Sequence, residues 1–304
     1  MTTSRRCFLA TGAMAGATLA NAAPPARDAC FRYCLNTATL IGFKLPITRQ
    51  IDIAAEAGYQ AIEPWLDSLH AYVSAGGSLR DLGKRIAGAG LTVESAIAFP
   101  AWIANDSAER AHALEDIRRD MDLLARIGGR RIACPPAAPP GTPAIGLEHI
   151  AERYRAVLEL GDTMGVVPEL EFWGPSPHLS RLSQAAFAAI EAAHPKACIL
   201  TDVFHLYKGG SDFEGLRLLS AQALPVIHMN DYPAQPGRAT VKDSDRVYPG
   251  DGVAPLARIL AELRLVAPNI ALSLELFNAT YWKGDPLAVA KTGLAKMKAV
   301  AAAC

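Results

Sequence analysis

The clearest structural signal in this chain is the stretch Val166-Val167-Pro168-Glu169-Leu170-Glu171-Phe172, which is short, mostly apolar and carries a carboxylate near its end. A second stretch of the same kind follows at Ala197-Cys198-Ile199-Leu200-Thr201-Asp202. Between them, Ser183–Ala193 has the composition and length of a helix. A strand, a helix and another strand in this order predict a unit of parallel β-structure.

The same alternation runs outward in both directions. The other predicted strands are Phe31–Asn36, Ala61–Trp65, Thr92–Ile97, Arg131–Cys134, Val226–Asn230 and Ile270–Phe277. The other predicted helices are Thr48–Ala57, Leu79–Ala89, Ser107–Ile127, Leu147–Met164, Phe213–Leu219, Pro255–Val266 and Pro286–Ala303. Eight strand–helix pairs predict an α/β protein with a single-domain (β/α)₈ TIM barrel. A doubly wound sheet is the competing architecture, but no GxGxxG motif follows the first strand.

Residues 1–22 have the features of an export signal. Ser4-Arg5-Arg6-Cys7-Phe8-Leu9 places two arginines before an apolar run, and Ala20-Asn21-Ala22 supplies small residues for cleavage. We interpret this as a bacterial twin-arginine signal, with an ordinary secretory signal as the alternative. The expected location is periplasmic or secreted. Because the twin-arginine route carries folded proteins, a metal could be loaded before export.

Cleavage after Ala22 would leave 282 of the 304 residues, with the barrel expected over residues 29–304. The full chain has 30 basic and 30 acidic residues, and loss of Arg5 and Arg6 leaves 28 basic residues. Without a basic surplus, a nucleic acid partner is not expected. No later stretch is long and apolar enough for a stable membrane anchor. The remaining cysteines lack CxxC spacing, so most are interpreted as small buried residues. Homo-oligomerisation is left open.

In a TIM barrel, catalytic side chains come from the carboxyl ends of the strands and the loops after them. Glu171, Asp202, His228 and Glu275 end the fifth to eighth predicted strands. Three carboxylates and one imidazole predict a site for one divalent metal ion. This ligand set suits Mn²⁺, Mg²⁺ or Co²⁺ better than Zn²⁺.

Each of these residues also has an ordinary structural interpretation. A single glutamate at a strand end is usually an ion-pair partner, and a single histidine is usually a satisfied core residue. Their repetition on four consecutive strands favours a common site. Burying three acids together without a cation would be very costly, because desolvation and like-charge repulsion act in the same direction.

Several motifs carry a family resemblance. They are Leu170-Glu171-Phe172-Trp173-Gly174, Thr201-Asp202-Val203-Phe204-His205, His228-Met229-Asn230-Asp231, Tyr248-Pro249-Gly250-Asp251-Gly252 and Ser273-Leu274-Glu275-Leu276. With these motifs the chain resembles the xylose isomerase-like TIM-barrel superfamily, in its sugar phosphate isomerase/epimerase group. The resemblance extends over essentially the whole chain after the signal.

The resemblance implies roles for individual residues. In ketose 3-epimerases of the superfamily, four residues on strands five to eight bind one metal and the two glutamates transfer protons. These roles fall on Glu171, Asp202, His228 and Glu275, with Glu171 and Glu275 as the acid/base pair. The histidine three residues after the aspartate, here His205, would contact the substrate. An arginine that the epimerases place soon after strand seven is absent from Tyr232-Pro233-Ala234-Gln235, and Arg246 is its nearest counterpart.

Other residues near strand ends are candidates for substrate contact. Trp65 and Trp173 are predicted to stack on a sugar, as are Phe99, Trp102, Tyr232 and Trp282. Packing of these rings on one another over the barrel mouth is the alternative. Glu63 ends the second predicted strand and is expected to bind substrate hydroxyls or to form a structural ion pair.

The predicted function is a metal-dependent isomerase or epimerase of a sugar or related polyol, acting by proton transfer through a metal-stabilised enediolate. A dehydratase or lyase acting on a keto-sugar or keto-inositol uses the same intermediate and is the nearest alternative. A glycoside hydrolase would not need Asp202 and His228 around a metal. A multi-metal endonuclease would need more histidines and a basic face, and a binding-only barrel would not need an intact ligand set.

Overall fold

The computed structural model describes residues 31–304, and the predicted export signal lies outside them. Eight parallel strands alternate with helices in this part of the chain. The strands are β1 (Arg32–Asn36), β2 (Ala61–Glu63), β3 (Thr92–Val93), β4 (Arg131–Cys134), β5 (Val167–Glu171), β6 (Ile199–Asp202), β7 (Val226–Met229) and β8 (Ala271–Leu274). The predicted single-domain TIM barrel is therefore confirmed.

Helices cover the outside of the strands. They are α1 (Ile47–Ala57), α2 (Leu66–Ser74), α3 (Leu79–Gly88), α4 (Ser107–Arg126), α5 (Leu147–Met164), α6 (Leu182–Glu191), α7 (Val203–Gly209), α8 (Leu256–Val266) and α9 (Pro286–Ala302). Among residues 31–304, the helices are either too short or too polar to cross a membrane.

The strands pair in the order β3-β2-β1-β8-β7-β6-β5-β4. The ring closes between β3 and β4 through Ile97, which forms parallel bridges to Trp65 and Ala133. The amide of Ala133 donates to the carbonyl of Ala96 at 2.8 Å. The short β3 is therefore extended by the residues that close the barrel, which explains why the sequence predicted a strand as far as Ile97.

Side chains along each strand alternate between the core that lies between strands and helices and the interior of the barrel. Outward-facing residues such as Leu170, Ile227 and Leu272 join the main apolar core between strands and helices. Inward-facing Leu200, Val226 and Ala271 form a smaller cluster inside the barrel. With a period of two, the next inward positions along β6, β7 and β8 belong to polar residues. The strand pattern alone thus directs these polar side chains into the barrel interior.

Most predicted elements are confirmed, with three instructive differences. The sequence did not predict α2, which follows β2 directly, or α7, which follows β6 directly and is only seven residues long. The predicted helix Phe213–Leu219 is a 3₁₀ helix over Phe213–Leu218. Short helices of this kind are stabilised by tertiary contacts and carry little periodic signal. Cys34, Cys134 and Cys198 are buried free thiols, as predicted.

Glu169 is a buried carboxyl group inside the barrel and gives the fold a specific pH dependence. Its Oε2 accepts a hydrogen bond from Ser95 at 2.7 Å, and Arg131 Nε lies 3.6 Å from Oε1. Burial raises the pKa of Glu169 to about 8, although Arg131 and Ser95 act to lower it. The folded protein therefore holds this proton more tightly than the unfolded chain does.

We expect Glu169→Gln to flatten the pH dependence of stability. The contribution of Glu169 is fully present below its ordinary pKa of 4.5 and is lost as the pH rises toward 8. The wild type should lose up to about 1.4 kcal/mol of unfolding free energy per pH unit from this group. Urea unfolding across this range measures the effect. If the unfolding free energy of the variant changed with pH as steeply as that of the wild type, the raised pKa of Glu169 would be contradicted.

Candidate metal centre and active site

Four polar residues predicted from the sequence lie at the carboxyl end of the barrel. Glu171 and Asp202 are the last residues of β5 and β6, His228 lies within β7, and Glu275 follows β8 directly. All four are buried, with Asp202 and His228 fully inaccessible to solvent. The strand-end rule therefore placed them correctly at one rim.

The imidazole of His228 is the centre of this group. Its Nδ1 lies 3.2 Å from Oε2 of Glu275 and 3.8 Å from both Oδ2 of Asp202 and Oε1 of Glu171. Nδ1 has no well-aligned hydrogen-bond partner, even though these carboxylates surround it. A buried nitrogen that faces three carboxylate groups and has no aligned partner is the feature of the site that most needs a ligand.

The donor set fits a divalent cation. One ligand atom each from Asp202, His228 and Glu275 lies within 4.8 Å of the other two. Glu171 lies at the edge of this group and approaches Nδ1 of His228 from β5. Carboxylate oxygens with one imidazole suit Mn²⁺, Mg²⁺, Co²⁺ or Zn²⁺, and thiols are not part of the set.

Arg246 supplies a positive charge that the sequence analysis did not count. Its guanidinium is only 1% exposed, and Nη1 donates to Oδ2 of Asp202 and Oε2 of Glu275, both at 2.8 Å. Nη2 lies 3.3 Å from Nε2 of His205, and it also bonds Asp243. Arg246 already offsets part of the charge of the three buried acids, so the expectation from the sequence that these acids require a metal was wrong in ignoring this cation.

Two asparagines also hold the carboxylates, and the sequence analysis gave neither of them a role. Asn36, at the end of β1, donates to Oε1 of Glu275 at 3.1 Å. Asn230, just after β7, donates to Oδ2 of Asp202 at 2.9 Å. The same strand-end rule that selected the acids could have selected these amides. They lock the carboxylate orientations without adding charge.

The buried groups differ in their affinity for protons. Burial raises the pKa of Glu171 well above its usual range, and the neighbouring Glu275 and Asp202 add to this effect. Burial acts in the same direction on Glu275, but His228 and Arg246 outweigh it and lower its pKa to about 2. The surroundings therefore act on the pKa values of the two glutamates in opposite directions, an asymmetry of the kind that acid/base pairs use. Burial lowers the pKa of His205, which favours the neutral form of its imidazole.

A cavity of about 250 Å³ opens above these residues. Its polar lining residues are Glu171, His205, Asp243, Arg246 and Glu275, and its apolar ones are Trp65, Ile97, Phe99, Trp173, Pro175 and Phe277. The aromatic rings form one connected arc, with ring centroids 5.1 to 5.9 Å apart. The predicted Trp65, Phe99 and Trp173 belong to this wall, and Phe277 is an addition.

Other predicted contact residues lie elsewhere. The indole of Trp102 donates to the carbonyl of Pro135, and that of Trp282 donates to the carbonyl of Thr39. Tyr232 stacks on Tyr207 at a centroid distance of 3.8 Å. Glu63 is fully buried and faces Nε2 of His228 rather than the cavity. Its expected contact with substrate hydroxyls has no counterpart in this geometry.

Asp231 anchors the segment that carries Arg246. Its two carboxylate oxygens accept hydrogen bonds from the backbone amides of Tyr232, Gly250, Gly252 and Ala254, at 2.8 to 3.1 Å. A Cβ atom at Gly252 would overlap the carbonyl of Tyr232 and the carboxylate of Asp231. The motif from Tyr248 to Gly252 is therefore a structural clamp around this aspartate.

Comparison with known proteins agrees with this geometry. Residues 51–300 match the family described as xylose isomerase-like TIM barrel. The match covers well over half of the chain. The protein belongs to this family.

Individual relatives are more distant. An inosose isomerase from Bacillus velezensis is 28% identical over 134 residues, which cover 44% of this chain and 48% of the relative. The chain thus spans about half the length of the curated relative it matches. The IOLI protein, solved with a bound zinc atom, has a TM-score of 0.80 at 23% identity, covering 89% and 98% of the two chains. An L-ribulose 3-epimerase has a TM-score of 0.72 at 21% identity, covering 89% and 94%. The structural matches are evidence of a shared fold.

We expect Asp231→Ala to destabilise the protein by about 2 to 4 kcal/mol, because four backbone amides lose a charged acceptor in a buried setting. Chemical denaturation measures the change. Asp251→Ala is the matched control from the same motif, since Asp251 makes a surface ion pair with Lys296. That variant should change stability by less than about 1 kcal/mol. Equal effects of the two substitutions would contradict the clamp role of Asp231.

Proposed function

We propose that the protein is a divalent-metal-dependent isomerase or epimerase of a sugar or related polyol. The observation that carries the proposal is the pair Glu171 and Glu275. Both carboxylates line the same cavity, and both approach Nδ1 of His228. The similarity to an inosose isomerase supports this reaction class.

The position of the two glutamates suits proton transfer on two faces of a substrate. Glu171 comes from β5 and Glu275 from the end of β8, and β6 and β7 separate these strands in the barrel. The carboxylates therefore approach the cavity from different sides. One glutamate would remove a proton from a carbon next to a carbonyl, and the other would return a proton to the opposite face. Transfer to the neighbouring carbon would give isomerisation instead.

The metal would be held by Asp202, His228, Glu171 and Glu275. A divalent cation at this position supplies positive charge that stabilises negative charge developing on the substrate oxygens. Asn36 and Asn230 keep Glu275 and Asp202 oriented through the hydrogen bonds described above. We therefore propose that the protein needs one divalent ion for activity.

Substrate orientation would come from the cavity walls. His205 and Arg246 would contact substrate oxygens on the polar side, where they line the cavity beside Glu275. Trp65, Trp173, Phe99 and Phe277 would pack against the carbon–hydrogen faces of the substrate. A polyol with one polar edge and one less polar face matches this division.

We also propose export by the twin-arginine route to the periplasm or the exterior. The support is the pair Arg5-Arg6 before Phe8-Leu9, together with the small residues that end at Ala22. Export as a folded protein would let the metal bind in the cytoplasm.

We expect the Mn²⁺-supplemented protein to exchange deuterium from D₂O into the carbon next to the carbonyl of a ketose or keto-inositol. Glu275→Gln should lower the exchange rate by about 10²- to 10⁴-fold, because the amide cannot accept the proton. NMR and mass spectrometry measure the exchange. Glu169→Gln is the matched control, since Glu169 points into the same barrel but makes its contacts with Ser95 and Arg131.

The outcomes separate the candidate reactions. If the product differs in mass from the substrate only by the incorporated deuterium, the result supports isomerisation or epimerisation. Exchange followed by loss of one water identifies a dehydratase. The proposal would be overturned if the metal-loaded wild type exchanged deuterium into none of the ketoses or keto-inositols tested. It would also be overturned if the Glu275→Gln variant exchanged deuterium at the wild-type rate.

We further expect unphosphorylated substrates to be preferred. Of the described residues that line the cavity, Arg246 is the cationic one, and its guanidinium is already engaged by Asp202 and Glu275. Lys208 does not line the cavity, and it donates to the carbonyls of Arg238 and Ala239 at 3.0 Å. Arg246 could still contact a neutral substrate oxygen, but its charge is already compensated by carboxylates, so a phosphate group would meet carboxylates and aromatic rings without a free cation among the described residues. Matched free and phosphorylated ketoses should differ at least tenfold in kcat/KM, and a preference for the phosphorylated form would contradict this expectation.

A further inference from the structure

Glu63 is a buried carboxylate for which the proposed reaction has no use. It is the last residue of β2, it is fully inaccessible to solvent, and it lies behind His228 as seen from the cavity. Both of its oxygens lie 3.1 Å from Nε2 of His228. Ser273, on β8, donates to Oε2 at 2.5 Å. This arrangement uses residues from three different strands.

From this geometry we infer that Glu63 is a positioning residue for the metal centre. It accepts the Nε2 proton of His228 and so directs the other ring nitrogen, Nδ1, toward Asp202, Glu171 and Glu275. The inference rests on the proposed metal site. It adds Glu63, a residue that would contact neither the metal nor the substrate.

The orientation of the ring is what supports this role. If His228 served only as an ion-pair partner for Glu63, only its Nε2 atom would need a defined position. The other ring nitrogen could then face apolar side chains. Here the second nitrogen is buried, has no aligned partner and faces three carboxylates. An imidazole can bind a metal through one nitrogen only when its proton is on the other. A carboxylate on that far nitrogen fixes the ring and increases its basicity.

Ser273 completes the support on the side away from the metal. Its hydroxyl holds Oε2 of Glu63, and its strand pairs with β7 so that Ser273 lies opposite His228 in the register. The serine therefore fixes the carboxylate, and the carboxylate fixes the imidazole. Glu63 comes from β2, and β1 separates that strand from β8 and β7, so these contacts tie His228 to a more distant part of the barrel wall.

The test is the affinity of the purified full-length protein for Mn²⁺, measured by titration calorimetry after removal of bound metal. Two substitutions separate shape from charge. Glu63→Gln keeps the shape and loses the charge, and Glu63→Asp keeps the charge but withdraws the carboxylate from Nε2. We expect each variant to bind Mn²⁺ about 10- to 100-fold more weakly than the wild type.

Two controls accompany these variants. Ser273→Ala should weaken Mn²⁺ binding by less than Glu63→Asp does, because the carboxylate stays on the ring. Glu169→Gln should bind Mn²⁺ within about threefold of the wild type, since the carboxylate of Glu169 pairs with Ser95 and Arg131. Thermal unfolding of the metal-free variants reports whether each one is folded before the titration.

Each outcome bears on the inference. Wild-type affinity in folded Glu63→Asp would overturn it, as would a wild type that takes up no Mn²⁺ at all. A purely structural role for Glu63 predicts a lower melting temperature with unchanged affinity. If the wild type binds Mn²⁺ tightly, the variants bind weakly and no substrate exchanges deuterium, then the inference stands and the proposed reaction fails.

Discussion

Several carboxylates must lie close together inside this barrel, where water cannot solvate them. Glu171, Asp202 and Glu275 surround one nitrogen of His228, and Glu63 faces the other. Like charges at these distances repel each other strongly in a protein interior, so the cluster persists only where positive charge and hydrogen-bond donors offset the repulsion. Arg246, Asn36 and Asn230 provide part of this compensation, and the proposed metal would provide the rest.

The compensation is directional. Arg246 bonds the same oxygens of Asp202 and Glu275 that lie nearest to Nδ1 of His228. A cation bound at this position would therefore share its ligands with the guanidinium. The guanidinium offsets part of the negative charge at the site and holds these two carboxylates in place. Asp231 serves the same arrangement from a distance, because it holds the segment that delivers Arg246.

The cavity divides its tasks between two sides of the barrel. The polar chemistry comes from β5 to β8, and the aromatic wall comes largely from the loops after β2, β3 and β5, with Phe277 after β8. In the proposed reaction, a substrate held between these sides would have its carbonyl end among the carboxylates and its carbon skeleton against the rings. This division would suit the proposed reaction at one carbon of a small polyol, since the reacting atoms must be fixed while the rest of the substrate is only packed.

The amino-acid sequence by itself determined the barrel and the position of four polar residues at its rim, because both depend on local pattern. Alternating apolar runs and helical segments specify eight strands, and a period of two along β5, β6 and β7 turns Glu171, Asp202 and His228 inward. The strand-end rule then predicts their common rim without any knowledge of contacts. Only the tertiary structure decided which side chains contact each other. Arg246 lies far from β6 in sequence, and Glu63 lies on the opposite half of the chain from His228. No local pattern records these pairings, because they arise from the closure of the barrel and from the loop that Asp231 holds in place.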